Sequence, residues 1–208
     1  MTMRKKLLIT IACLSVILCT MVTGTIAWLI DDTPTIINTF TPSNITVELK
    51  ENGTDTDNKQ QFQMIPGKTY TKDPKVTVTN DIDCYVFVKI EKANDFDDFM
   101  AYAIAGGWTQ LEDADGNTVD GVYSRVVPAD ATQKAFSVLG AGSVDVGGKT
   151  YSWEADRVLI RPDVTKAMME ALFNAGADNY PTLTFTAYAI QQEGFATAAL
   201  AWAEITKQ

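Results

Sequence analysis

The side chains that most often carry catalysis are scarce in this chain of 208 residues, because it contains no histidine. Histidine is the common general base at neutral pH and the base of the Ser-His-Asp and Cys-His arrangements. It also supplies the H-E-x-x-H ligands of zinc peptidases. We therefore predict that the protein is not an enzyme and needs no cofactor.

Acidic residues are plentiful, and one group has the spacing with which a calcium loop begins. Asp113, Asp115 and Asn117 fit the first positions of an EF-hand loop. The sixth position is Thr118 instead of glycine, and the twelfth is Ser124 instead of the chelating glutamate. The pattern favours a solvent-exposed hairpin turn, and no metal site is predicted.

Aromatic and thiol side chains are the remaining candidates for binding or reactivity. Trp108, Trp153 and Trp202 could form a carbohydrate-binding platform, but each lies in a segment that needs a core residue, so burial is the expected state. Cys84 alternates with Val86, Val88 and Ile90 in an apolar strand pattern, which predicts a buried and unreactive thiol.

The N-terminus has the order of a signal peptide. Three basic residues at 4–6 precede an apolar run at 7–22, and a small-residue segment follows. Thr25 and Ala27 offer small side chains to a signal peptidase, so cleavage is expected between Ala27 and Trp28. The alternative is an uncleaved anchor, because residues 7–30 carry no charge and about 20 apolar residues span a bilayer.

Removal of residues 1–27 takes away three basic residues and no acidic one. The chain then has 14 basic and 26 acidic residues, a net charge of −12. Such a charge disfavours binding to nucleic acid phosphates and to anionic lipid. We expect a secreted protein that does not stay at the membrane after cleavage.

Short alternating segments dominate the rest of the chain and predict a mainly β fold. Helices are predicted at 94–105, 163–174 (with Val164, Ala167, Met168 and Leu172 on one side) and 197–205. Short strands and one core indicate an antiparallel β-sandwich over residues 42–208, with short helices in its connections. Strands are expected at 45–49, 75–79, 84–91, 108–111, 122–127, 136–139, 143–146, 157–160 and 183–191.

The N-terminal part of the chain reads GTIAWLIDDTPTIINTFTPSNITVELKE. It has an aromatic-Leu-x-Asp element at Trp28, Leu29 and Asp31, an N-x-F element at Asn38 and Phe40, and a strand at 46–49. Three internal runs follow in order: KDPKVTV at 72–78, CYVFVKI at 84–90 and TFTAYAIQQEGF at 184–195. Together these segments resemble the TasA/camelysin family of secreted proteins of Gram-positive bacteria. The resemblance implies a location in the extracellular matrix or at the cell surface.

The resemblance implies a jelly-roll-like sandwich and a structural role. In similar proteins the N-terminal segment of one subunit completes the sheet of the next and builds extracellular (biofilm matrix) fibres. Residues 28–41 are the corresponding extended segment, with Ile36, Asn38 and Phe40 on one face of the candidate donor strand. The expected partners are a signal peptidase during export and further copies of the chain.

Two other functions stay open at this point. A secreted monomeric binding module or adhesin would have the same composition and the same kind of fold. A camelysin-type metallopeptidase is less favoured, because the chain has no histidine with which to hold zinc.

The cleavage site gives a first test. Replacing Ala27 by Phe fills a position where signal peptidase accepts only small side chains, so the precursor should stay bound to the membrane. Mass spectrometry of the culture medium measures the outcome. Normal release of a protein that starts at Trp28 would contradict the assignment.

Overall fold

A computed structural model of the protein describes residues 44–52 and 61–207. The predicted signal peptide at 1–27, its cleavage residues Ala27 and Trp28, and the segment 28–41 lie outside these ranges. The described residues form antiparallel sheets with a few short helices, which confirms the predicted mainly β class. Across these ranges, no helix combines the length and apolar composition that crossing a bilayer requires.

The described part of the chain contains three α-helices and one short 3₁₀ helix. Helix α1 is Phe96–Phe99, α2 is Lys166–Ala175, α3 is Ala198–Ile205, and the 3₁₀ turn is Ala177–Asn179. The strands are β1 Ile45–Lys50, β2 Thr69–Thr71, β3 Lys75–Asn80, β4 Cys84–Ala93, β5 Met100–Ala101, β6 Ala103–Ile104, β7 Thr109–Glu112, β8 Thr118–Val127, β9 Ala135–Ser137, β10 Leu139–Gly140, β11 Gly142–Val146, β12 Lys149–Trp153, β13 Arg157–Ile160 and β14 Thr182–Gln191.

Strand β4 organises the larger sheet, whose order is β14-β4-β8-β7. All ten residues of β4 pair with β14, and Cys84 to Lys89 also pair with β8 on the other side. Both faces of β4 are buried along its first half. Apolar side chains of β4 therefore contribute to two layers, one on each side of the sheet. Cys84, Val86 and Val88 belong to the first layer, and Tyr85 and Phe87 belong to the second.

The smaller sheet, β1-β3-β9, lies across the first of these layers. Val76 and Val78 of β3 share one buried cluster with Val86 and Val88 of β4. The two sheets thus enclose a common core, which is consistent with the predicted β-sandwich. The jelly-roll topology stays a prediction. Short pairings complete the fold: β2-β13-β5, β6 with β10, and β11 with β12.

Helix α3 covers the outer face of the larger sheet. Ala201 is fully buried against Tyr85 and Phe87, and the ring of Trp202 lies 5.3 Å from that of Phe87. Thr197 caps the helix by accepting a hydrogen bond from the Leu200 amide at 3.3 Å. The predicted helix at 197–205 is confirmed, and it explains why the aromatic residues of β4 are not exposed.

The predicted helix at 94–105 is wrong beyond its first turn. Phe96 and Phe99 are both buried, so their spacing marks a single turn, α1. The next residues are taken by sheet pairing, since Met100–Ala101 pairs with β13 and Ala103–Ile104 pairs with β10. Strand partners distant in sequence therefore outweigh the local helical period.

Two further differences concern the second half of the chain. Strand β12 was not among the predicted strands, although β11 was; the two pair across the turn at 147–148. Helix α2 begins at Lys166 after its cap Thr165, and Ala167 is exposed instead of facing the core. Met168 and Leu172 do pack against a small cluster of Phe99, Ile160 and Val164.

A matched pair of phenylalanines tests the double-sided sheet. Phe87 is 0% exposed and Phe173 on α2 is 74% exposed. Phe87→Ala should lower the free energy of unfolding by about 3–5 kcal/mol because it leaves a cavity in the buried layer between the sheet and α3. Phe173→Ala should change it by less than about 0.5 kcal/mol. Denaturant titrations measure both, and equal effects would refute burial under α3.

Candidate assembly surface

Strands β1 and β14 are edge strands of the two sheets, and they lie next to each other. β1 pairs only with β3, and β14 pairs only with β4, among the described strands. Their backbones approach within 8 Å, yet no backbone hydrogen bond joins them. We call the line between β1 and β14 the seam. It presents two strand edges whose outward N–H and C=O groups have no strand partner in the described part of the chain.

Apolar side chains along the seam are only half-buried. Ile45, Val47 and Leu49 of β1 pack on the first core cluster but keep part of their surface exposed. Residues at the centre of the same cluster, such as Val76 and Val86, are fully buried. On β14 the half-buried residues that contact this cluster are Leu183, Phe185, Ala187 and Ala189, the face that the sequence predicted.

An ion pair closes one end of the seam. Lys72 Nζ lies 2.7 Å from Glu51 Oε2, and both side chains are largely buried. The same ammonium group lies 5.4 Å from the centre of the Phe185 ring, a cation–π distance. The pair links the end of β1 to the segment after β2 and covers the beginning of β14. Breaking it would leave a largely buried charge without its partner, which is strongly unfavourable.

The chain enters β1 at the opposite end of the seam. The Asn44 amide donates a hydrogen bond of 2.9 Å to Asp81 Oδ1. The Gln192 amide, just after β14, donates to the carbonyl of Asp83 at 2.9 Å. The start of β1 and the end of β14 are therefore held at the same end by the 81–83 connection.

The other side of the sandwich is closed by side chains. Trp108, just before β7, is buried, and its Nε1 donates a hydrogen bond of 2.9 Å to the carbonyl of Ser137 on β9. This bond joins the larger sheet to the smaller one. Arg125 stacks beside it on the Phe136 ring. The two sides of the sandwich are thus unequal, and the apolar edge surface lies at the seam.

The structure confirms the buried thiol predicted at Cys84. The residue is fully buried, and Sγ donates a weak hydrogen bond to the Val127 carbonyl at 3.6 Å. Burial raises the pKa of the thiol; Lys134 nearby partly opposes this increase, and Asp83 adds to it. A protonated and enclosed thiol is a poor nucleophile, so Cys84 acts as a core residue.

The acidic hairpin is also where the sequence placed it. Asp113 Oδ1 accepts hydrogen bonds from the amides of Asp115 and Asn117, at 2.9 and 2.8 Å. These bonds lower the pKa of Asp113 and use its carboxylate to hold the turn. Within 44–52 and 61–207, no group of three or more Cys, Asp or Glu residues is arranged to bind a metal ion.

The three tryptophans in the described part of the chain do not form a platform. Trp108 and Trp153 are buried, as expected, and Trp202 packs edge-on against Tyr188 and beside Phe87. The candidate donor residues Ile36, Asn38 and Phe40 lie outside the described residues. Sequence reasoning did not find the seam, because strand alternation shows which residues face the core but not which strands become neighbours.

Comparisons with known proteins identify no relative of this chain. The chain matches no protein-family model, and no curated protein matches it.

The raised pKa of Cys84 predicts a pH dependence. The thiol has a pKa of about 8.5 in the unfolded chain and a higher pKa in this core. Below about pH 8.5 it is protonated in both states, so its ionisation does not reduce the free energy of unfolding. Stability is lost as the pH rises towards the folded pKa, because only the unfolded state then gains from ionisation. Wild type should lose more stability than Cys84→Ala between about pH 8 and 10. Parallel curves in denaturant titrations would contradict this prediction.

Proposed function

We propose that the protein is a secreted structural subunit of an extracellular, biofilm-type fibre, and that subunits assemble by N-terminal strand donation. The observation that carries the proposal is the seam, where two unpaired strand edges and a half-buried apolar row lie together. An extended peptide binds such an edge through main-chain hydrogen bonds and gains specificity from alternate side chains.

The free edge of β14 is the proposed acceptor. It has ten residues and is the longest unpaired edge in the described sheets, about 33 Å at roughly 3.3 Å per residue. Residues 28–41 form a 14-residue segment, long enough to cover it. Ile36 and Phe40 share one face of an extended strand and are four residues apart, so they would lie beside acceptor residues with the same spacing, such as Leu183 and Ala187.

Donation between copies fits the position at which the chain enters β1. Asn44 is held at Asp81, and β1 runs from there along the seam. To cover its own seam, the preceding segment would have to reverse direction within a few residues after Thr41. A segment from a neighbouring copy needs no reversal, and repetition of this head-to-tail contact makes a fibre.

A charge pair in the donor strand tests the proposal. Ile36→Asp with Phe40→Asp should give a secreted, folded monomer without fibres, because unpaired carboxylates would have to be buried at the acceptor. The matched control is Ile37→Asp with Thr39→Asp, which adds the same charge to the opposite face and should retain fibres. Electron microscopy and melting curves are the measurements. Fibres from the first variant would contradict strand donation.

A disulfide experiment separates donation between copies from internal pairing. Phe40→Cys with Ala187→Cys places one thiol on the donor and one at the acceptor, while buried Cys84 stays protected. Donation between copies predicts covalent ladders on a non-reducing gel. A strand that covers its own subunit predicts a bridged monomer, and a monomeric binding module without this contact predicts no bridge. Either of the last two results would overturn the fibre proposal.

A further inference from the structure

Arg125 is held on the closed side of the sandwich against two aromatic rings. Its guanidinium carbon lies 3.6 Å from the centre of the Phe136 ring and 5.0 Å from that of Trp108. It projects from the face of β8 that also carries Val127, into the gap between the sheets. Gly107, with φ +85°, leaves room for the group, because an added Cβ would lie 2.6 Å from Nη2. The planar head is therefore fixed in position.

This cation has no internal counterpart in the part of the chain that the structure describes. No carboxylate lies within ion-pair distance of Arg125, although acidic residues outnumber basic ones by 26 to 17 in the sequence. Its Nε atom is enclosed and has no acceptor. Burial lowers the pKa of the guanidinium and no charged neighbour raises it, yet an arginine stays protonated under all ordinary conditions.

The two Nη atoms differ from Nε, since they are not enclosed and their N–H groups have no acceptor among the described residues. The close contact with the Phe136 ring covers one face of the guanidinium, so we consider an approach to the Nη atoms along its plane. Two parallel N–H groups in that plane match the two oxygens of a carboxylate. Phosphate would also fit the fork, but a carboxylate is the anion that this acidic chain supplies in quantity.

We propose that the Nη edge of Arg125 binds a carboxylate from a second copy of this chain at a subunit contact. The proposal rests on the proposed function, since it concerns the packing of copies that strand donation has brought together. Exported copies, with a net charge of −12 after the predicted cleavage, repel one another. An attractive contact therefore requires a cation at the position where a carboxylate of the neighbouring copy binds. Arg125 is already ordered and has no existing ion pair to break, which reduces the cost of forming the contact.

The decisive comparison is polymerisation of the wild-type protein in sodium acetate and in sodium chloride at the same ionic strength. Both salts screen general repulsion equally, but acetate also competes for the Nη edge. We expect acetate to raise the critical concentration for polymerisation several-fold over chloride. Equal critical concentrations in the two salts would overturn the proposal without any mutation.

Variants at Arg125 give the matched controls. Arg125→Met keeps the apolar contact with the rings and removes the donors; its critical concentration should rise about tenfold or more and should not differ between acetate and chloride. Arg125→Lys keeps the charge without the planar fork, so its critical concentration should lie between those of wild type and Arg125→Met. Melting curves report folding. A folded Arg125→Met that polymerises like wild type would refute the assignment.

Failure of strand donation can be told apart from failure of this site. If wild type does not polymerise in any salt, the proposed function fails. Binding of acetate to Arg125 is then measured on the monomer by NMR. The Arg125 side-chain nitrogen resonances should shift saturably with acetate, and chloride at equal ionic strength should not reproduce the shift. A shift that acetate and chloride cause equally would show that Arg125 does not bind a carboxylate.

Discussion

The constraint on which the rest of the structure depends is that β4 must be covered on both faces and both edges. Its first half alternates two apolar sets without an exposed residue, and strands β14 and β8 bond to its two edges. One face requires the smaller sheet and the other requires α3. The sandwich, the C-terminal helix and the position of β14 at the sheet edge all follow from this requirement.

The two sides of the sandwich around β4 differ in how the two sheets are joined. On the closed side, the Trp108–Ser137 hydrogen bond joins the sheets and Arg125 fills the space beside it. On the seam side, β1 and β14 approach without bonding, and the Lys72–Glu51 pair covers only one end. An edge that is long, apolar and unpaired favours association with another strand. Among the described residues, this asymmetry leaves an unpaired apolar strand edge on one side and an arginine without an ion pair on the other.

Polar groups at the end of the core hold the connections from which the chain enters β1. Asn80 is buried, and its Nδ2 donates to the carbonyls of Ile82 and Val127 at 2.9 and 3.1 Å. Lys134 Nζ donates to the carbonyls of Asn80 and Ala129 at 2.8 and 2.9 Å. These bonds engage carbonyls at the ends of β3 and β8 and in the loops that follow them, so backbone oxygens next to the core have hydrogen-bond donors. The seam therefore begins where side chains hold the connecting loops.

The sequence by itself determined the elements whose signal is local: the mainly β class, the alternation that buries Cys84, the hairpin around Asp113 and the capped helix α3. Each depends on side-chain periodicity or on turn chemistry within a few residues. Only the tertiary structure decided the cases that depend on distant partners. The residues after Phe99 became strands because β13 and β10 offered them hydrogen bonds, and Tyr85 and Phe87 became buried because α3 returned across them. The seam and the uncompensated Arg125 belong to the same class, since which edges and charges become neighbours is set by chain topology and not by any single segment.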